Sequence, residues 1–204
     1  MSPKRSGRSC IQRARKKLRS ATNDLIGEGL FGGLARIGRL HPLSNPARHG
    51  IRVTRDVEYL PTGNPRHRLD IYRPAVQSGP LPVVVYMHGG AFHLLSKNTH
   101  WLMGLAFARA GYLAFNIDYR LAPQNPYPAA VSDICSALEW ISEHAQSYGG
   151  DLSRLVFAGE SAGGNLATAL KICCCYRRPE EFAQRAFATG LVPTAVIPAC
   201  APLQ

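Results

Sequence analysis

The chain contains the stretch Arg154-Leu-Val-Phe-Ala-Gly-Glu-Ser-Ala-Gly-Gly-Asn-Leu-Ala-Thr-Ala-Leu170, which decides the fold. Leu155 to Ala158 is a short apolar run of the kind that forms a buried strand. A G-x-S-x-G turn follows, and helix-forming residues begin at Asn165. Strand, tight turn and helix together present a nucleophilic serine. We therefore predict that Ser161 lies at a helix N-terminus, where free N–H groups and the helix dipole favour a developing negative charge.

A second glycine-containing segment lies upstream, after the apolar run Leu81 to Met87. That run predicts a buried strand, and it leads into His88-Gly-Gly-Ala-Phe92. Glycines after a core strand leave backbone N–H groups unobstructed, as an oxyanion hole requires. The predicted donors are the N–H groups of Gly89, Gly90 and Ala162. His88 precedes the glycines on the donor side, so we interpret it as a structural residue of this loop rather than a catalytic base.

Four motifs occur in order along the chain: His88-Gly-Gly-Ala-Phe92, Asp118-Tyr-Arg-Leu-Ala-Pro123, Tyr127-Pro128 and Gly159-Glu-Ser-Ala-Gly-Gly164. Together they resemble the hormone-sensitive-lipase-like family of α/β-hydrolase carboxylesterases, from about Val53 onward. The resemblance implies an α/β-hydrolase fold with a mostly parallel sheet flanked by helices, and hydrolysis of small-molecule carboxylic esters without a cofactor. It also implies a catalytic Ser161, oxyanion donors at Gly89, Gly90 and Ala162, and supporting residues at His88, Asp118, Arg120 and Glu160.

The sequence departs from this pattern in its catalytic base. In this fold an Asp or Glu and then a His follow the serine along the chain. Residues 162–204 contain no His and no Asp, and all seven histidines precede Ser161. We therefore expect a chain that lacks the last strands of its fold, with His93 or His100 as the alternative bases. A catalytically incomplete fragment that binds a ligand or a partner is the competing hypothesis, because a serine hydroxyl is a weak nucleophile without a base.

The positive charge of the chain is concentrated at its start. The net charge is +11, and residues 1–20 hold eight Lys or Arg and no acid. Apolar residues from Ile11 to Leu25 follow helical spacing, which predicts a helix with one basic face. We interpret residues 1–50 as a basic helical arm or cap segment and residues 51–204 as a partial hydrolase domain. A weak contact of residues 10–25 with an anionic membrane is an alternative, and nucleic-acid binding ranks last because no base-reading motif is present.

Alternating patterns organise the remainder of the chain. We predict a hairpin from strands at Val53–Leu60 and Arg68–Tyr72, a strand at Tyr112–Ile117 and helices at 101–110 and 128–145. We place Asp133 on the solvated side of its helix, residues 177–185 on a charged surface and the glycine-rich Gly27–Gly32 at a helix end. The apolar run Leu191–Ala199 predicts a last strand whose exposed edge favours self-association.

The cysteines and the first residues of the chain indicate the cellular compartment in which we expect the protein. The six cysteines show neither C-x-x-C pairs nor zinc-type spacing with histidine, so we expect no metal site. No apolar segment of signal-peptide or transmembrane character follows the basic start. Free cysteines are typical of a reducing compartment, which leads us to expect a cytoplasmic protein, with peripheral contact to the inner membrane surface as an alternative.

Overall fold

The fold is built on one six-stranded sheet. The computed structural model describes residues 29–203. The strands are β1 (Ile51–Glu58), β2 (Arg68–Pro74), β3 (Leu81–Met87), β4 (Leu113–Ile117), β5 (Gly150–Glu160) and β6 (Ala195–Ala199). Their order across the sheet is β1-β2-β4-β3-β5-β6. The predicted hairpin is confirmed, since β1 and β2 pair antiparallel. Strands β4, β3, β5 and β6 are mutually parallel, so the predicted mostly parallel sheet is also confirmed.

Helices cover both faces of this sheet. They are α1 (residues 29–40), α2 (Trp101–Arg109), α3 (Ala129–His144), α4 (Ala162–Cys175) and α5 (Glu181–Ala188). Short 3-10 helices occupy Pro42–Ser44, Pro46–His49 and Ala145–Tyr148. Because β3, β4 and β5 are buried between two helical layers, they carry almost continuous Val, Leu, Ile and Phe rather than an alternating pattern.

Two apolar clusters fill the space between sheet and helices. The larger cluster joins one sheet face to α3, α4 and α5, and includes Phe115, Ile134 and Phe157. The smaller cluster joins the other face to α2, and Ala35 of α1 packs against it. Central strands held on both faces fix the carboxyl ends of β3 and β5 side by side, which is where the two glycine-containing motifs begin.

Three predictions about surface elements are wrong. Asp133 is almost fully buried rather than solvated, because it pairs with an arginine described below. The segment predicted as charged surface contains α5, whose Ala183 and Ala186 are buried against α3 and α4. Within the predicted helix end Gly27–Gly32, the described residues 29–32 belong to a helix that runs to residue 40, so no helix ends among those four. The predicted helix over residues 10–25 lies outside the described residues, and the division of the chain at residue 50 stays a prediction.

Strand β6 forms one edge of the described sheet. It pairs with β5 alone, and Ile197 is about half exposed. A strand at an edge of the sheet was predicted for Leu191–Ala199, and the strand of the structure begins only at Ala195. Self-association through this edge stays a prediction, and light scattering of the 204-residue chain at micromolar concentration would test it.

Candidate active site

Ser161 occupies a strained turn between β5 and α4. Its backbone has φ 52° and ψ −117°, a conformation that non-glycine residues rarely adopt and that clusters at functional sites. The Ser161 N–H donates a hydrogen bond of 2.8 Å to the Ala199 carbonyl, and its own carbonyl accepts one from Asn165 N–H at 3.1 Å. The next strand and the following helix thus hold the strained residue from both sides. No hydrogen bond of the Ser161 side chain is found within residues 29–203.

The two flanking glycines allow this turn to form. A Cβ at Gly159 would overlap the Gly163 backbone, and a Cβ at Gly163 would overlap the carbonyl oxygen of Met87 at the end of β3. Any side chain at either position would therefore push the turn away from the neighbouring strand. The G-x-S-x-G spacing is thus a packing requirement of this turn.

The loop after β3 lies directly against Ser161. A Cβ at Gly89 would be 3.0 Å from the Glu160 carbonyl oxygen and 3.7 Å from the Ser161 Cβ. Gly90 adopts φ 118°, which favours glycine, and its carbonyl accepts hydrogen bonds from His93 and Leu94 N–H, both at 2.9 Å. In the described part of the chain, the N–H groups of Gly89, Gly90 and Ala162 have no hydrogen-bond partner. Three unpaired backbone donors therefore lie in the turn that carries Ser161 and in the loop packed against it.

His88 is completely buried behind this loop. Its Nδ1 lies 2.7 Å from the Gly89 carbonyl oxygen, its ring stacks on Tyr119 at 4.3 Å, and the Tyr119 hydroxyl donates to the His88 carbonyl at 2.7 Å. A proton on Nε2 would face Asp118 Oδ1 at 3.5 Å. Burial outweighs the hydrogen bond to the Gly89 carbonyl and lowers the pKa of His88 to about 3. The ring is therefore neutral at pH 7 and anchors the donor loop.

Asp118 connects the donor loop to a buried charged cluster. Its Oδ1 accepts the Lys97 N–H at 2.7 Å and lies 3.8 Å from Arg66 Nη1. The Lys97 ammonium in turn donates to Asp56 at 2.7 Å and to Asp70 at 2.8 Å. Burial raises the pKa of Asp118 to about 6, although the Lys97 N–H and the nearby cations favour its charged form. Sequence analysis missed Lys97 and Asp70, which carry no motif.

Arg120 is held by the buried Asp133. Its Nε and Nη2 donate to both carboxylate oxygens at 2.6 to 3.0 Å, and its backbone N–H donates to Oδ2 at 2.8 Å. The hydrogen bonds to Asp133 raise the pKa of Arg120. This pair ties the segment after β4 to α3.

Glu160 and two histidines surround the turn without reaching the serine. The Glu160 side chain is largely exposed, and its Oε2 lies 3.9 Å from His100 Nε2. Burial lowers the pKa of His100. His93 is exposed on the loop after the donor glycines. Neither histidine hydrogen-bonds to Ser161 in the structure, so the base that sequence analysis sought is not paired with the serine among the described residues.

An apolar cavity of about 360 Å³ opens beside the turn. Its walls come from the loop after β3, the segment after β4, and the first turns of α3 and α4. The lining residues are Phe92, His93, Arg120, Ala122, Asn125, Tyr127, Ala130, Val131, Asn165, Leu166 and Ala169. A pocket of this size and character accommodates a small organic group next to Ser161.

Residues 29–203 carry neither a metal-binding cluster nor a membrane-spanning helix. No group of three or more His, Cys, Asp or Glu side chains could hold a metal ion there. No helix in that range is long and apolar enough to cross a bilayer. On the cysteine run, Cys173 and Cys174 are buried in the core whereas Cys175 is partly exposed, so the three do not face one point.

The class of protein follows from this arrangement and from its similarity to known proteins. A parallel sheet with a serine turn after β5 and a glycine loop after β3 is the architecture of an α/β hydrolase. Residues 84–196 match the family model described as alpha/beta hydrolase fold. The chain belongs to this family, and its similarity to curated carboxylesterases agrees with the resemblance to the hormone-sensitive-lipase-like branch.

Individual relatives are esterases. Carboxylesterase NlhH of Mycobacterium tuberculosis is 46% identical over 101 residues, which cover 49% of this chain and 32% of NlhH. Esterase LipI of the same organism is 43% identical over 90 residues, covering 44% of this chain and 28% of LipI. The hyperthermophilic esterase of the archaeon Pyrobaculum calidifontis superposes with a TM-score of 0.63 at 34% identity, covering 79% of this chain and 51% of the esterase. The chain thus matches about a third of the length of its curated relatives.

Proposed function

We propose that the protein hydrolyses carboxylic esters of small molecules through an acyl-enzyme on Ser161. The observation that carries this proposal is the strained Ser161 backbone, with φ 52° and ψ −117°, packed against Gly89. Strain of this kind persists only where the surrounding structure enforces it, and it is concentrated at active sites. A turn that served only to join β5 to α4 would not need a serine in this conformation.

The proposed chemistry uses backbone donors rather than charged side chains. Ser161 Oγ attacks the ester carbonyl carbon while a base takes its proton, and the C=O π electrons move onto the oxygen of the tetrahedral intermediate. His93 and His100 are the candidates for this base, which then returns the proton to the oxygen of the leaving alcohol. The N–H groups of Gly89, Gly90 and Ala162 stabilise that oxyanion, since they are unpaired in the described chain. The C–O bond to the alcohol then breaks and leaves the acyl group on Ser161. Water hydrolyses this acyl-enzyme to the free acid.

The apolar cavity beside the turn is the proposed binding site for the substrate. Its apolar walls suit a short acyl or alcohol group, and its volume of about 360 Å³ limits that group to a modest size. The proposed substrates are therefore small-molecule esters rather than ester polymers. The supporting roles proposed for His88, Asp118, Arg120 and Glu160 rest on the contacts described above.

A non-catalytic protein is the second candidate, and one observation favours it. Residues 162–204 contain no His or Asp, and the Ser161 side chain has no hydrogen-bond partner among the described residues. A serine without a base is a poor nucleophile. In this alternative the oxyanion loop and cavity bind a small apolar molecule or a partner without turnover.

Hydrolysis of p-nitrophenyl butyrate by the 204-residue chain separates the two candidates. We expect turnover that falls by about 10³-fold or more in Ser161→Ala, because removing a nucleophile has effects of at least that order. Ser147→Ala, at an exposed serine remote from the turn, should keep full activity. His93→Gln and His100→Gln then ask whether either histidine supplies the base. Equal rates for the chain and Ser161→Ala would reject catalysis and support the non-catalytic alternative.

A further inference from the structure

A second cavity, distinct from the one beside Ser161, lies between α1 and the loop over residues 95–99. Its volume is about 450 Å³, within the range of small-molecule sites. The lining residues are Gly32, Ala35, Arg36, Arg39, Arg66, Leu95, Ser96, Asn98 and Thr99. None of these residues lines the apolar cavity, so the two spaces offer different chemistry.

The walls of this cavity carry an excess of positive charge. Arg36 and Arg39 are three residues apart on α1, which places them on one side of the helix. Arg66 reaches the same space from the turn before β2. Among residues 29–203, no Asp or Glu lines the cavity, while Ser96, Asn98 and Thr99 add polar groups. Three guanidinium groups around one cavity favour an anionic occupant.

Two of the three guanidinium groups are fixed in position. Arg39 Nη2 donates to the Asn98 carbonyl at 3.0 Å and to its side-chain oxygen at 3.2 Å, and its Cζ lies 5.9 Å from the Trp101 ring centroid. Arg66 Nη1 donates to the Leu95 carbonyl at 2.7 Å. Neutral carbonyl and amide groups hold Arg39, so its charge is not cancelled by these contacts. Preorganised donors of this kind reduce the entropy lost when a ligand binds.

The carboxylates nearest to the cavity are engaged elsewhere. Asp56 and Asp70 bind the Lys97 ammonium, and Asp118 accepts the Lys97 N–H while lying 3.8 Å from Arg66. Burial, followed by the nearby Arg55 guanidinium, lowers the pKa of Arg39. Arg36 is exposed and forms no hydrogen bond or ion pair with another described residue. Arg36 and Arg39 therefore remain available to an anion that enters from solvent.

We propose that this cavity is a binding site for a small oxyanion, a carboxylate or a phosphate, held by Arg36 and Arg39 with Arg66 at its inner wall. The planar guanidinium group binds both anions through paired N–H donors. The site is independent of Ser161, so its occupation does not require ester hydrolysis.

Isothermal titration of the 204-residue chain tests the proposal with two probes. Inorganic phosphate and butyrate are titrated separately, and neutral butyramide serves as the control for butyrate. We expect saturable binding of at least one anion and none of butyramide. Binding of phosphate alone identifies a phosphoryl ligand, and binding of butyrate alone identifies a carboxylate ligand.

Matched variants locate the bound anion. Arg36→Gln and Arg39→Gln should each weaken binding by about tenfold, the loss expected for one charge-assisted hydrogen bond. Arg109→Gln, on the exposed end of α2, should leave it unchanged. Arg36→Gln keeps the test valid even if loss of the Arg39 contacts disturbs the fold. The proposal is overturned if neither anion binds saturably at millimolar concentration, or if binding does not change in Arg36→Gln and Arg39→Gln, as with an anion held by the basic first residues.

Discussion

The two sides of the Ser161 turn are fixed by different physical means. On one side the turn packs backbone against backbone, with Gly159 and Gly163 filling spaces where a Cβ would overlap the neighbouring chain. On the other side the donor loop is held from behind by the buried residues His88, Lys97 and Asp118. The His88 ring hydrogen-bonds to the Gly89 carbonyl, and the Lys97 N–H donates to the Asp118 carboxylate. The first arrangement depends on shape and the second on charge.

The difference matters because the two arrangements fail in different ways. A steric overlap at the turn cannot be relieved by solvent or pH, and it moves Ser161 relative to β3. A missing charge leaves an uncompensated partner whose cost depends on its burial and protonation. Substitutions on the two sides should therefore differ in how much free energy of unfolding they cost, in whether a second substitution restores it, and in whether the loss depends on pH.

Removing the buried cation should have the largest effect. Lys97 is almost fully buried, and its hydrogen bonds to Asp56 and Asp70 outweigh burial and raise its pKa. Lys97→Met leaves the fully buried Asp70 carboxylate without its main partner, so we expect a loss of about 3–5 kcal/mol in the free energy of unfolding. Urea denaturation followed by circular dichroism measures this change. Lys171→Met, at a partly exposed lysine on α4, is the matched control.

A second substitution distinguishes lost charge from lost packing at the same site. Asp70→Asn in the Lys97→Met background removes the unpaired charge and keeps the oxygen that accepts the Asp56 N–H at 2.9 Å. We expect the double variant to recover much of the lost stability. If it stays as unstable as Lys97→Met, the role of Lys97 lies in packing rather than in charge compensation.

A substitution on the steric side should cause a somewhat smaller loss in the free energy of unfolding, which no compensating change of charge restores. Gly163→Ala would place a Cβ against the carbonyl oxygens of Met87 and His88. We expect a loss of about 3 kcal/mol in the free energy of unfolding, at the upper end for overpacking, because the obstructing atoms belong to a central strand and cannot rotate away. Urea denaturation is again the measurement. The loss relative to the parent chain should be the same at pH 6 and pH 8, since the substitution involves no titrating group.

Gly33→Ala is the control for this steric prediction. A Cβ at Gly33 meets no atom within 4 Å, and the residue lies inside α1. The variant should be stabilised by up to about 1 kcal/mol, because alanine loses less backbone entropy than glycine in a helix. A Gly163→Ala protein as stable as the parent chain would show that the turn can shift away from β3.

The steric side was the part that the sequence could predict. Its residues are contiguous, from Gly159 to Gly163, and their spacing follows directly from the space available between strand and helix. The strand of the donor loop was likewise predicted with the bounds Leu81–Met87 that the structure has. Local chemistry in a short window was therefore sufficient to predict the serine turn and the strand before the glycine loop.

The charged side could not be predicted in the same way. Asp56, Asp70 and Lys97 come from β1, β2 and a loop, and only the antiparallel pairing of β2 with β4 brings them behind the donor loop. Asp133 was misplaced for a related reason. Its partners Arg120 and His67 come from the segment after β4 and the turn before β2. Pairings made by tertiary structure leave no periodic signal in the sequence.

The pH dependence of His88 should give the smallest effect and the sharpest distinction between the two sides. Its pKa is about 3 in the folded chain and about 6.5 in the unfolded chain, so the unfolded state binds a proton first. The stability that this residue contributes is complete above pH 6.5 and is lost as pH falls from there toward 3. Between pH 7.5 and 5.5, wild type should lose about 1.4 kcal/mol relative to His88→Gln, measured by urea denaturation at each pH.

The comparison with the variant isolates this histidine from other titrating groups. Asp118 acts in the opposite direction, because its raised pKa of about 6 makes the folded chain gain stability as pH falls, but it is present in both proteins. Between pH 7.5 and 8.5 the difference between wild type and His88→Gln should stay constant, since the ring is neutral in both states. A difference that is also constant down to pH 5.5 would mean that the charged Asp118 carboxylate, with Oδ1 3.5 Å from His88 Nε2, stabilises a protonated His88 ring in the folded chain and compensates its burial. The donor loop would then be held by an ion pair rather than by a neutral ring.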